Sequence, residues 1–212
     1  MPNWCSNSVT ISSNKENIDK FEAFLNEKNG KEWFDFFLPC PEELTDVDSP
    51  NRDDKQSQQL IEKYGHADWY SWNVENWGTK WNTDAQDWSR EGDSISFWFD
   101  SAWAPPTNLY EKITGEDYDV EAYYLEEGMG FVGKFSEGFD DYYEYTDSES
   151  LNDIPEDIVD NWNLRENLEE WEAENAEEEE DEEWSEERMD VVGSNGNDGL
   201  HYDEVEENKK DE

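Results

Sequence analysis

Basic residues are scarce in this chain. Its 212 residues include 15 Lys and Arg against 59 Asp and Glu, a formal net charge of −44 at pH 7. A phosphate backbone is repelled by such a chain at long range, and no segment concentrates enough base to offset that. Direct nucleic-acid binding is not expected, and basic protein surfaces become the natural partners. The simpler role of the acid, keeping the protein soluble and monomeric, stays open. Cysteine is nearly absent: Cys5 and Cys40 alone make no disulfide framework, which suggests a reducing cytoplasm, and both sit beside aromatic or proline residues as core fillers. Apolar runs extend only a few residues, far short of a membrane span, and the N-terminus lacks the basic-then-apolar pattern of a secretory leader.

Catalytic signatures are missing as well. There is no glycine-rich phosphate loop, no His-Glu-x-x-His zinc motif and no Gly-x-Ser-x-Gly elbow. Two histidines, His66 and His201, cannot build a histidine-rich metal site. Acids such as Asp140, Asp141, Glu144 and Asp147 lack the spacing of a calcium loop. No cofactor and no metal site is expected, and a non-enzymatic role is favoured, although carboxylates are too plentiful for inspection to eliminate an acid/base pair.

Against these absences stands a surplus of rings. Aromatics reach 15%, with 12 Trp, 10 Tyr and 10 Phe, whereas disordered chains are poor in them, so part of this chain must bury a ring-rich core. Charge divides the chain near residue 150. Residues 1–150 hold 33 acids and 11 bases, and residues 151–212 hold 26 acids and 4 bases, so charge density more than doubles across the boundary.

The first part carries the regular patterns. Ser8–Ser12 reads as a strand with Val9 and Ile11 on one face, and Asn14 caps a helix through Ile18, Phe21, Phe24 and Leu25 that Gly30 closes. Trp33–Leu38 is a short apolar run ending at Pro39-Cys40-Pro41; residues 42–55 look like a polar loop, and Gln56–Tyr64 a short helix ended by Gly65. Asp68–Asn73 alternates weakly and is read as strand. Ser94–Asp100, with Ile95, Phe97 and Phe99 on one side, is the clearest strand. Pro105-Pro106 starts a helix through Leu109, Tyr110 and Ile113. Val120–Leu125, Gly130–Phe135 and Asp141–Tyr145 complete the strands, the first two joined by a hairpin at Glu127-Gly128. This order predicts an α+β fold: a ferredoxin-like antiparallel sheet with helices on one face, plus a C-terminal acidic helix.

Five segments also resemble one family. Met1-Pro2-Asn3-Trp4-Cys5-Ser6-Asn7, Leu38-Pro39-Cys40-Pro41, Asn76-Trp77-Gly78-Thr79-Lys80-Trp81, Ala102-Trp103-Ala104-Pro105-Pro106 and Glu127-Gly128-Met129-Gly130-Phe131-Val132-Gly133 occur in the order found in the YubB-type ferredoxin-like proteins of phages and plasmids. The resemblance covers roughly residues 1–135 and departs from the usual pattern at Cys40 and Ala104. It implies the fold and a mobile-element origin, but no activity and no catalytic residue.

The acidic part lies outside that resemblance. Asp153 as cap and Pro155 in the first turn mark a helix start, and Leu151, Ile154, Ile158, Trp162, Leu168 and Trp171 approximate one stripe. The predicted organisation is a ferredoxin-like domain over 1–150, an acidic helical extension over 151–192 and a flexible acidic tail over 193–212. The candidate partner-binding residues are Glu169, Glu170, Glu172, Glu174, Glu177, Glu178, Glu179, Glu180, Asp181, Glu182, Glu183, Glu186 and Glu187. A fully helical 165–190 would span ~39 Å and present its 15 acids at one per ~2.6 Å, against one charge per ~1.7 Å of duplex DNA axis. Repulsion between glutamates four apart opposes that helix, so a solvated coil over 177–183 is the competing reading. Trp69, Trp72, Trp77, Trp81 and Trp103 could form a stacking platform, but Lys80 alone supplies no basic groove, and most of these indoles are assigned to the core.

The expectation is an acidic interaction protein of the host-cell cytoplasm, a nucleic-acid mimic that blocks the basic groove of a DNA-handling or defence protein. The alternative is a protein-binding module with an aromatic-rich face, its acidic tail a solubiliser.

Overall fold

The computed structural model describes residues 3–175. The chain divides after Arg165 into two units, residues 1–165 and 166–212. The first is built on a six-stranded antiparallel sheet. Strand β1 (Trp4–Ser13) alternates strictly: Cys5, Asn7, Val9 and Ile11 are buried on one face, and the intervening Ser6, Ser8, Thr10 and Ser12 turn to the other. Helix α1 (Lys15–Lys28) starts where the Asn14 side chain accepts the Asn17 N–H, and it ends with Asn29 left-handed and the Gly30 N–H bonded back to the Leu25 carbonyl. Of the predicted stripe it buries Ile18, Phe21 and Leu25, and Phe24 is half-buried against the same core.

After α1 come two short helices, α2 (Phe34–Phe37) and α3 (Glu42–Thr45), and then α4 (Asp54–Tyr64), so the segment read as a loop over 42–55 contains one helical turn. Residues 68–73 are not strand. They begin α5 (Trp69–Trp77), whose Asp68 cap accepts the Ser71 N–H and which stops at Gly78, φ +90°. Trp69, Trp72, Asn73 and Trp77 fall three, four and eight apart, the helical period; a six-residue window of rings and polar residues fits the strand period nearly as well. An edge strand that the sequence reading lacks follows, β2 (Gln86–Glu91). It is fully buried nowhere along its length and is bent by a register shift between Gln86 and Ser89, so no alternation announces it. Gly92 (φ +61°) turns the chain into β3 (Ser94–Ala102).

Helix α6 (Thr107–Thr114) leads to β4 (Tyr118–Glu126), β5 (Phe131–Ser136) and β6 (Phe139–Glu144), close to their predicted positions. The order across the sheet is β2-β3-β1-β4-β5-β6, every neighbouring pair antiparallel. On one face Val9, Ile11, Ile95, Phe97, Phe99, Val120 and Ala122 share a core with α1, α6 and the ring-rich inserted helices.

Residues 150–165 bury Leu151, Ile154, Ile158, Val159 and Leu164. The single helix expected here is broken into a 3-10 turn (Ser150–Asp153), α7 (Glu156–Asn161) and a helix over 164–175, with Asn163 left-handed at the break. Asp153 caps nothing; Pro155 precedes α7 with no side-chain cap, since the 3-10 turn places Asp153 before the helix. Helix α7 packs against β5, where Asp157 accepts from Lys134 Nζ (3.1 Å) and from the Tyr123 hydroxyl (3.3 Å), and Trp162 meets Trp98 of β3 edge-on at 5.6 Å. By strand alternation Tyr123, Lys134 and Trp98 lie on the face opposite the helical core, so this segment crosses that second face.

The Lys134 hydrogen bond, and next its charge, hold the Asp157 carboxyl below the usual carboxylate range. A carboxyl lowered in this way stabilises the fold above its unfolded-state pKa and loses that contribution as pH falls through the folded value. Asp157→Asn should therefore cost about 1 kcal/mol or less at pH 7, since the Asp157 carboxylate is half exposed, with parent and variant converging in acid. Urea unfolding at neutral and acid pH reads both; a gap that widens in acid contradicts it.

Candidate functional site

Four of the five family-like segments meet at one end of the sheet. Strand β1 begins there with Trp4, β3 ends there at Ala102, and the β4–β5 turn and the α5–β2 connection arrive beside them. The Trp103 N–H donates to the Asn3 carbonyl (2.9 Å), and the buried Thr79 hydroxyl donates to the Ala102 carbonyl (2.9 Å). A Cβ on Gly128 would stand 2.8 Å from Asn3 Nδ2, so that turn approaches the N-terminal segment closely. The buried Glu126 carboxylate accepts the Gly128 and Met129 N–H groups and shapes the same turn. The fifth segment joins from behind, where Trp77 Nε1 donates to the Leu38 carbonyl (2.9 Å).

Underneath lies a polar knot. Asn7 Nδ2 donates to the Cys5 carbonyl (2.8 Å) and Ser101 Oγ (2.9 Å), and the Ser101 hydroxyl is placed to donate to the Ala104 carbonyl (2.8 Å). These bonds tie β1 to the end of β3 and present the segment after it outward. Burial pushes the Cys5 thiol far up and the Cys40 thiol up to about 11, so both stay protonated near neutrality and pack as apolar side chains.

Above the knot the indoles are open to solvent: Trp4 is 51%, Trp81 38% and Trp103 40% exposed. Trp81 stacks on Trp103 (centroids 6.4 Å, 27°) and tilts toward Trp4 (6.2 Å, 39°). Lys80 Nζ lies 4.3 Å from the Trp81 ring centroid, 5.1 Å from that of Trp103 and 5.8 Å from that of Tyr70, in cation–π range of all three. Trp103 itself holds φ at +68°, a conformation bulky residues avoid, at a cost of order 1–3 kcal/mol. Chemically this is a patch of electron-rich faces suited to a cation or to an apolar anchor from another protein.

Of the five indoles considered as a platform, the structure brings only Trp81 and Trp103 together at the surface, whereas Trp72 and Trp77 meet edge-on at 5.5 Å in the interior. Trp72 and Trp77 are core and Trp69 packs half-buried against it. Trp4 and Tyr70 complete the patch instead, and only the tertiary fold reveals them as neighbours. Glu169, Glu170, Glu172 and Glu174 lie on the helix over 164–175; Glu177, Glu178, Glu179, Glu180, Asp181, Glu182, Glu183, Glu186 and Glu187 lie outside the described residues. Asp140 accepts the Tyr124 hydroxyl (2.7 Å) and is raised by burial, and no cluster of His, Cys, Asp or Glu suited to a metal occurs among the described residues. No helix among them is long and apolar enough to cross a membrane.

No family model and no curated protein matches the chain. A solved structure that aligns with it is protein api92 from Yersinia pseudotuberculosis, of the family DUF1281, at 11% identity and a TM-score of 0.39, covering 69% of this chain and 99% of that one.

Proposed function

We propose that this is a non-enzymatic acidic interaction protein that engages a basic, nucleic-acid-binding partner by presenting carboxylates where that partner expects phosphates. One observation carries the reading: the folded unit is itself polyanionic. Residues 1–165 hold 37 acids against 12 bases, and Lys15, Lys20, Lys63, Arg90 and Lys134 are each engaged by carboxylates of their own chain. Glu166, Glu169, Glu170, Glu172 and Glu174 add charge on helical turns beyond Arg165. Supporting the ferredoxin-like assignment is the order β2-β3-β1-β4, with α1 and α6 as the crossover helices of two split β-α-β units. The family-like segments support a phage or plasmid origin, and with it a host target in the cytoplasm.

The test is retention of host proteins on the immobilised full chain, with elution by a salt gradient and competition by duplex DNA. Nucleic-acid-binding proteins should be retained, leave well below about 1 M salt and be displaced by DNA, because opposite charges are screened within ~8–10 Å at physiological ionic strength. A partner that resists about 1 M salt and ignores DNA refutes the reading. Removal of residues 166–212 should weaken retention at least tenfold. If the truncated chain binds unchanged and its partner also resists about 1 M salt, the exposed indoles, and not the acid, hold the partner, which is the second reading that Trp4, Trp81 and Trp103 favour.

A further inference from the structure

Beside the indole patch the surface opens into a cleft of about 400 Å³. Trp4 and Trp81 line it together with Thr83, Asp84, Gln86 and Asp100. Lys80 lies over the Trp81 and Trp103 rings, beside this lining. Asp100 Oδ1 accepts from Ser6 Oγ (2.9 Å) and Asp84 Oδ1 from the Glu32 N–H (3.1 Å), which fixes both carboxylates. Neither carboxylate is in an ion pair with any described residue, whereas Lys15, Lys20, Lys63, Arg90 and Lys134 each engage other carboxylates.

We infer that this cleft receives an arginine side chain from the basic partner. The inference rests on the function proposed above and names where and how the partner is gripped. An electron-rich indole wall attracts a cation, and carboxylates in the same cleft can accept its N–H groups. A nucleotide base would also stack on the indoles, but its phosphates would then face Asp84 and Asp100 in a chain of net charge −44. Between the two cationic side chains the geometry selects arginine. A guanidinium is planar, stacks face-on against an indole and donates two parallel bonds to a carboxylate, whereas an ammonium is a compact, strongly hydrated point charge. Lys80 illustrates the appeal of these rings to a cation within the chain itself.

Calorimetric titration of the full chain with two short peptides, one of alternating Arg and Gly and one of alternating Lys and Gly, tests this directly. The arginine peptide should bind about tenfold more tightly than its lysine counterpart. Trp81→Ala should erase that preference while leaving the lysine peptide unaffected, and Asp100→Asn should weaken the arginine peptide several-fold at unchanged fold by far-ultraviolet circular dichroism. Trp4→Leu, at the other indole of the cleft, gives the same result if Trp81→Ala fails to fold. Equal binding of the two peptides, or an arginine preference that survives both indole substitutions, overturns the cleft assignment and leaves the acidic reading intact. If neither peptide binds, the acidic surface is not a receptor for cations, and both proposals fall.

Discussion

Gly133→Ala is expected to destabilise the first unit by about 3 kcal/mol, although it adds a single methyl group. Gly133 of β5 pairs directly with Tyr124 of β4, and the tyrosine ring folds across the glycine backbone to place its hydroxyl on Asp140. A Cβ at 133 would run into the Tyr124 hydroxyl and ring carbon, and would stand 2.5 Å from the Asp141 carbonyl of β6. The ring cannot swing away cheaply, since Tyr124 is fully buried, and the backbone oxygen belongs to a paired strand. Overpacking of this kind forces the sheet apart. Urea unfolding should show the loss, and the double variant with Tyr124→Ala should be less destabilised than the two single variants added together, since one change removes the other's obstacle. Strict additivity, or an alanine variant as stable as the parent, contradicts this account.

Trp33→Ala should cost as much or more, about 3–5 kcal/mol. Trp33 is fully buried at the junction between the sheet and the inserted helices. Its ring meets Phe34 at 4.6 Å, Phe97 at 5.0 Å, Phe99 at 5.4 Å and Phe37 at 6.0 Å, mostly edge to face. The Trp33 backbone N–H donates to the Thr83 carbonyl (3.1 Å), so the residue also fastens the insertion to the approach to β2. The indole Nε1 has no partner among the described residues. Trp33→Phe therefore loses volume without losing a hydrogen bond, and should cost less than half as much as alanine. A phenylalanine variant as unstable as the alanine one would show that the indole nitrogen is bonded in solution.

Much of the scaffold was legible because local chemistry and burial agree there. Ile95, Phe97 and Phe99 alternate without interruption; Asn14, Gly30 and Gly65 stand at helix ends; and the Glu127-Gly128 turn separates two apolar strands. Legibility failed where a segment carries no clean period. The rings of 69–77 fit two periods over a short window, and β2 is an edge strand with little to bury. At Trp162-Asn163 the stripe continues through a helix break, because buried apolar residues at Leu151, Ile158 and Leu164 are compatible with either a straight or a jointed path.

What the sequence determined by itself is the sign and scale of the charge, since ionisation near neutral pH follows composition and needs no geometry. Which indoles stand open to solvent was decided only by the tertiary structure. Trp77 and Trp81 belong to the same six-residue segment and have the same chemistry. Yet Trp77 is buried with its N–H on Leu38, and Trp81 stands exposed between Trp4 and Trp103. Burial depends on what the rest of the chain brings against a side chain, and four segments far apart in sequence assemble that patch.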